Sequence, residues 1–217
     1  MDIVTLMENR HAVRSYLEKP IEDEKKAVLK NLVAKTNQES GLASQVIFDE
    51  PKAFDTFLAH YGKFSHVTNY LALIGKKGSD EACGYTGEQF VLKAQELGLN
   101  SCWVALTFGK RKVPVELAKG QVLFCVIAFG YGATQGVSHA TKKPEDVLTV
   151  TGEKPAYLDL GVKAALLAPT AMNQQKFMIT VTDGTPSIQV HGSGFYTAID
   201  LGIVKYHFEA ATGIKLS

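Results

Sequence analysis

The chain has 217 residues, 46% hydrophobic and 21% charged, which is enough apolar material for a core without staples and far from a disordered composition. A formal net charge of +1 argues against a protein that coats nucleic acid, while leaving room for a local pocket for one phosphate. Three cysteines without paired or metal-ligand spacing exclude a disulfide framework and a zinc site, and Cys102 and Cys125 read as small buried thiols.

In chain order, Met1-Asp2-Ile3-Val4 carries neither a basic nor a long apolar leader, so a cytoplasmic protein is expected. Asp2 caps a first helix whose Ile3, Leu6 and Met7 share a face. After Pro20, Ile21 to Thr36 predicts a second amphipathic helix, with Glu22, Asp23 and Glu24 suiting its N-terminal dipole. Ser44 to Phe48 suggests a short strand, and Pro51 opens a helix carrying Phe54, Phe57, Leu58 and Tyr61. Tyr70 to Ile74 reads as a buried strand closed by the turn Gly75 to Gly78, and Gly87 to Leu97 as a helix ended by Gly98. The following stretch to Leu106 reads as an apolar loop bearing the single Trp. Val122 to Phe129 has the unbroken apolar run of a doubly covered strand, and is far too short to span a bilayer.

Lys142 to Pro155 is polar and reads as an internal crossover, because neither half of the chain offers a complete sheet. Leu158 to Leu167 predicts a helix that stops before Pro169. Lys176 to Thr182 and Ser187 to His191 flank Asp183-Gly184-Thr185-Pro186 as a hairpin, and Ala198 to Thr212 predicts the last helix. Helices interleaved with few strands point to an α+β protein.

Four segments carry candidate chemistry. Arg10-His11-Ala12-Val13-Arg14 is the densest early basic cluster. Guanidinium forks suit phosphate, although a solvated helix end favoured by its dipole explains the same residues. Lys142-Lys143-Pro144, with His139 upstream, offers further phosphate ligands or a solvated loop. Ala168-Pro169-Thr170-Ala171-Met172-Asn173-Gln174-Gln175 brings amides that can read the edge of a heteroaromatic ring, or satisfy backbone groups in a turn. Gly98-Leu99-Asn100-Ser101-Cys102-Trp103-Val104-Ala105-Leu106 places the Trp either in a core or against a ligand.

Taken together and in order, these segments resemble the nitroreductase family. The first resembles its Arg-Arg/His-Ser-Val/Thr-Arg/Lys opening, and Gly98 to Val104 its Gly-Leu-Gly-Ser/Thr-Cys-Trp-Ile segment. Ala128-Phe129-Gly130-Tyr131-Gly132 followed by Lys142-Lys143-Pro144 resembles its late strand and basic-Pro segment. Ala168 to Gln175 resembles Ala-Pro-Ser-x-x-Asn-x-Gln. In common members this last segment follows the second helix. Here it lies in the C-terminal third, as in a smaller subgroup, and Gly41-Leu42-Ala43-Ser44-Gln45 occupies the usual place.

The resemblance implies a single nitroreductase-like FMN-binding domain over residues 1–217, with a central, mostly antiparallel sheet flanked by helices. It also implies a homodimer with FMN at the interface. Carried over residue by residue, Arg10 and His11 would hold the flavin phosphate, and Arg14 would reach the N1/O2 edge, where a cation stabilises the reduced ring. Lys142 and Lys143 would complete the phosphate site. Pro169, Thr170, Ala171 and Asn173 would touch the flavin from the other subunit, with Gln175 supporting their turn. Trp103, Ala105 and Leu106 would lie on the cofactor, with the backbone of the last two facing N5. Ala12, Asn100 and the sequence Gln175-Lys176-Phe177 depart from the family's Ser, Gly and Gln-Pro-Trp.

No side chain stands out as a nucleophile, which fits chemistry carried by a flavin. The implied reaction is a ping-pong transfer from NAD(P)H to a small acceptor such as a nitroaromatic or quinone. The alternative is a non-catalytic flavin-binding or sensing protein of the same fold. Gly130-Tyr131-Gly132 lacks the third glycine of a dinucleotide fingerprint, no Walker sequence occurs, and the six histidines are scattered, so ATP-driven and metal chemistry have no anchor. Neither nucleic acid nor membrane is an expected partner.

Overall fold

The computed structural model describes residues 2–216. Its elements are α1 (Ile3–Asn9), α2 (Asp23–Ser40), β1 (Gln45–Ile47), α3 (Phe57–Tyr61), β2 (Tyr70–Lys76), α4 (Asp80–Glu96) and β3 (Asn100–Val104). They continue with β4 (Gln121–Gly130), β5 (Leu148–Thr151), α5 (Leu158–Leu167), β6 (Phe177–Thr182), β7 (Thr185–Val190) and α6 (Thr197–Thr212). The chain divides into two compact units: residues 10–79 with 89–138, and residues up to 9 with 80–88 and from 139 onward.

In the first unit, β2 and β4 supply the unbroken apolar runs, and they pair at the middle of an antiparallel sheet ordered β1-β2-β4-β3. Alternate residues point to opposite faces. Tyr70, Ala72, Ile74, Cys102, Val104, Val126 and Ala128 face one core with Val13, Tyr16, Phe54 and Phe64. On the other face Phe129 meets Phe48 and Phe90 edge to face, with ring centroids 5.7 and 5.0 Å apart. Cover on both faces is why every residue of β2 before Lys76 is buried.

The second unit has its own sheet, ordered β5-β6-β7, with β5 parallel to β6 and β6 antiparallel to β7. The expected hairpin is present, and its two-residue turn places Asp183 at φ 49° and Gly184 at φ 79°. Helix α6 lies against the first turns of α4 at backbone distance. A Cβ on Gly84 would fall 1.9 Å from the Ile199 carbonyl oxygen, and one on Gly202 2.0 Å from that of Glu81. Between these helices and α5, fully buried His207 meets Glu88 Oε1 through Nε2 at 2.9 Å and the Ala164 carbonyl through Nδ1 at 2.9 Å. A carbonyl only accepts, so Nδ1 carries a proton, and a second proton lies between Nε2 and the carboxyl.

Several expectations are corrected. The stretch read as an apolar loop is strand β3, because its alternating Cys102 and Val104 complete one face of the core. The polar crossover contains β5, and each unit holds a sheet of its own, so the premise that neither half builds one fails. Of Phe54, Phe57, Leu58 and Tyr61, expected on the Pro51 helix, Phe54 points inward. The helix itself starts at Phe57, capped by the Thr56 hydroxyl accepting from Ala59 N–H at 3.2 Å, and Phe57, Leu58 and Tyr61 are exposed. Helix α4 starts at Asp80, seven residues before the expected Gly87, since Asp80 and Glu81 suit its first turn.

Candidate functional site

In the first unit the segment Ala12–Leu17 is held by main-chain bonds on both sides. Val13 N–H donates to Ser101 O at 3.0 Å, Ser65 N–H to Arg14 O at 3.0 Å, and Leu17 N–H to Tyr131 O at 2.8 Å. Beneath it, the buried Tyr16 hydroxyl donates toward Val13 O at 2.7 Å and lies 3.2 Å from Ala128 O. The three bonds to Ser101, Ser65 and Tyr131 run through the main chain, and the Ala12 and Arg14 side chains are exposed. Arg10 is buried, His11 half-buried, and Arg14 exposed with its guanidinium 5.9 Å from the Phe64 ring centre.

Both guanidiniums act on one group, the buried Cys102 thiol on β3. Burial raises its pKa, and the charges of Arg14 and then Arg10 work against that rise. Guanidiniums at Arg10 and Arg14 are the residue type suited to a phosphate or another anion. The loop after β4 is shaped by Asn100, whose Oδ1 accepts from Gly132 N–H at 3.0 Å and whose Nδ2 donates to Gln135 Oε1 at 3.1 Å. Asn100 is thus a buried brace for the strand exit where a glycine would offer nothing. Gly136, at φ 70°, lies so near His11 that a Cβ would fall 2.7 Å from that residue's own. Trp103 and Ala105 are half-buried, and Leu106 is 71% exposed just beyond the strand end.

In the second unit the other predicted residues gather in one turn. Gln175 is buried at its centre: Oε1 accepts from Lys142 N–H at 2.8 Å, and Nε2 donates to Ala140 O and Asn173 Oδ1, each at 2.9 Å. Its own N–H donates to the Thr170 hydroxyl at 3.0 Å. Asn173 Nδ2 donates to Ala140 O at 2.8 Å, so both amides clasp the same carbonyl. The turn is left-handed at Met172, Asn173 and Gln175, with φ of 50°, 54° and 45°.

The structure therefore brings Lys142, Thr170, Asn173 and Gln175 together, but gives Lys142 a local partner. Its ammonium donates to Gln175 O at 2.8 Å. Lys143 stands apart and exposed, its N–H donating to Asp146 Oδ2 at 3.3 Å. Pro169, Thr170 and Ala171 are half-buried and Asn173 is exposed.

Asp200, near the start of α6, is a member of this cluster that sequence reasoning missed. Its Oδ1 accepts from Ala171 N–H at 2.9 Å and its Oδ2 from Gln174 Nε2 at 2.6 Å. Burial pushes its pKa up to about 6, against the pull of those two hydrogen bonds. An acid flanked by Ile199 and Leu201 at a helix start was the available signal. Among the described residues no group of three or more His, Cys, Asp or Glu side chains is placed to hold a metal ion, and no helix is long and apolar enough to cross a membrane.

The family described as "Putative TM nitroreductase" matches residues 2–212. Among solved structures, a "putative nitroreductase" of Thermotoga maritima superposes with a TM-score of 0.68 at 23% identity, over 97% of this chain and 83% of that one. A "putative nitroreductase in complex with FMN" of Desulfovibrio desulfuricans gives 0.53 at 17%, over 70% and 96%. An FMN-dependent nitroreductase of Clostridium difficile gives 0.50 at 17%, over 60% and 88%. At these identities the likeness is one of fold. No curated protein matches the chain.

Proposed function

We infer the function of this chain from its family: it belongs to the nitroreductases described as "Putative TM nitroreductase", and we read it as an FMN-dependent oxidoreductase. The observation that carries this reading is the extent of the match, residues 2–212, which includes every candidate residue named above. The FMN in the Desulfovibrio desulfuricans structure and the name of the Clostridium difficile enzyme support the cofactor. When bound, FMN supplies the electron-transfer chemistry, a ping-pong exchange from NAD(P)H to a small acceptor such as a nitroaromatic or quinone.

The chain's own residues are assigned to binding and orientation. Arg10 and Arg14, with His11, fit a phosphate or the electron-rich edge of a flavin, because guanidinium forks donate paired, charge-assisted hydrogen bonds to anions. Trp103, Ala105 and Leu106 are assigned to the ring, and Pro169, Thr170, Ala171 and Asn173 to a second contact. Gln175 shapes the turn that presents them. Lys143 has an exposed side chain for a phosphate, whereas Lys142 must leave Gln175 O to serve.

We further propose that residues 1–217 act as one FMN-binding domain of the subgroup with the late Ala-Pro-Thr segment. We expect a homodimer with FMN at its interface. Three free, buried cysteines fit a reducing cytoplasm. Ala12, which lacks the family's hydroxyl, favours the second reading, a flavin-binding or sensing protein without efficient turnover.

The test is the visible absorption spectrum of the purified protein before and after anaerobic NADH or NADPH. A flavin band that bleaches, then returns on adding a quinone or nitroaromatic, supports the enzyme. A band that neither donor bleaches supports the binding protein. A protein that neither carries nor takes up FMN refutes both.

A further inference from the structure

The turn assigned above to the flavin has a shape that its own residues do not favour. Met172, Asn173 and Gln175 all take positive φ, a region costly to side chains with a Cβ. Met172 is 83% exposed, so packing does not compensate it. Side-chain bonds hold the shape: Gln175 and Asn173 clasp Ala140 O, and on the α6 side Asp200 does the rest. Its two oxygens each receive a donor, one from the backbone of Ala171 and one from the side chain of Gln174, whose Nε2 also donates to Phe195 O at 2.9 Å.

A carboxylate is the side chain this arrangement requires. Two donors face it, and a carboxylate offers two acceptors with no donor of its own. Asn in its place would set an NH2 against one of them. We propose that Asp200 is a positioning residue for flavin binding, fixing the Thr170–Gln174 turn so that Pro169, Thr170, Ala171 and Asn173 present a pre-formed face to FMN. Its ionised form is the one that accepts both bonds. Burial disfavours that form, so holding it at this place costs desolvation that the two hydrogen bonds partly offset.

This role rests on the flavin reading above, so the experiment separates the two. Wild type, Asp200→Asn and Asp200→Ala are titrated with FMN by flavin fluorescence, and the exchange of the Ala171 amide is followed in the same cofactor-free proteins. Expected are a protected Ala171 amide in wild type, faster exchange in both variants, and FMN bound about tenfold more weakly by Asp200→Asn while its melting temperature at pH 7.5 does not fall. Variants that bind FMN as tightly as wild type overturn the role of Asp200 and leave the flavin reading standing. Unprotected Ala171 in wild type overturns the anchoring geometry itself. Wild type that takes up no FMN, with Ala171 still protected, overturns the flavin reading and this role with it.

Discussion

The two segments assigned to the cofactor are held in place by opposite means. Ala12–Leu17 is fixed chiefly by its main chain, bonded to Ser101 and Ser65 and to Tyr131 beside the end of β4, while Ala12 and Arg14 point their side chains outward. The turn Thr170–Lys176 is fixed by side chains, with Gln175, Asn173, Thr170 and Asp200 bonding to backbone that the turn leaves over. Substitution should therefore separate binding from stability in the first segment and entangle them at Gln175 in the second. The difference follows from secondary structure: an extended segment between two edges satisfies its own backbone, and a run of left-handed residues does not.

The comparison breaks most easily at Gln175. Replacing it with Ala leaves Lys142 N–H, Ala140 O and the Thr170–Asn173 turn short of buried partners. We expect a loss of about 2–4 kcal/mol in chemical denaturation, together with loss of FMN binding. A variant that keeps wild-type stability would show that the amide does not hold the turn.

Asp200 gives the next effect, with a defined sign. Its folded pKa of about 6 stands above the ordinary 3.8, so the folded state takes up the proton more readily than the unfolded one. This group therefore opposes folding above pH 6, and the penalty is relieved as pH falls from 6 toward 3.8. Other carboxylates shift the opposite way, Glu209 among them, so the group must be isolated by difference. The stability of Asp200→Asn relative to wild type should be greater at pH 7.5 than at pH 4, by up to about 3 kcal/mol. A difference that does not change with pH removes the claim that Asp200 is strained by burial.

In the main-chain-held segment, Arg14→Ala should do the reverse of Gln175→Ala. Arg14 is exposed and its contact with Phe64 is long, so stability should change by no more than about 0.5 kcal/mol. FMN affinity should fall by about 1.5–3 kcal/mol, the range for a hydrogen bond to a charged group, or roughly 10- to 100-fold. A large fall in stability would mean that the guanidinium is part of the framework after all.

This division also explains what the sequence alone disclosed. Elements with a single strong period were legible: α5 was placed at Leu158–Leu167 and β4 within a residue at either end, because an unbroken or helical apolar pattern leaves few alternatives. The hairpin turn was legible because Asp-Gly suits two positive φ values. Strand β3 was not, since five residues of mixed character show no period until a neighbouring strand supplies their register. Strand β5 was hidden by Thr149 and Thr151 on its outer face and by its parallel partner, β6, lying beyond α5 in the chain. In the candidate site, the motif residues were found by type. Their bonds to Ala140 and to Asp200 were not, because contacts across about 30 residues leave no local spacing to read.

The smallest effect sharpens the comparison where the family departure is plainest. Ala12 is exposed, and the chain around it is set by Val13 N–H on Ser101 O. Ala12→Ser therefore adds a hydroxyl without asking the backbone to move or burying a polar atom. If this segment lies along the flavin phosphate, the hydroxyl supplies one neutral hydrogen bond, worth about 0.5–1.5 kcal/mol, and FMN should bind roughly two- to tenfold more tightly at unchanged melting temperature. The same substitution discriminates enzyme from binding protein, because a turnover defect caused by the missing hydroxyl should be repaired along with affinity. Tighter binding without faster NAD(P)H oxidation would place the defect elsewhere, and the side-chain-held turn would be the segment to change next. No gain in either would mean that the phosphate does not lie beside residue 12.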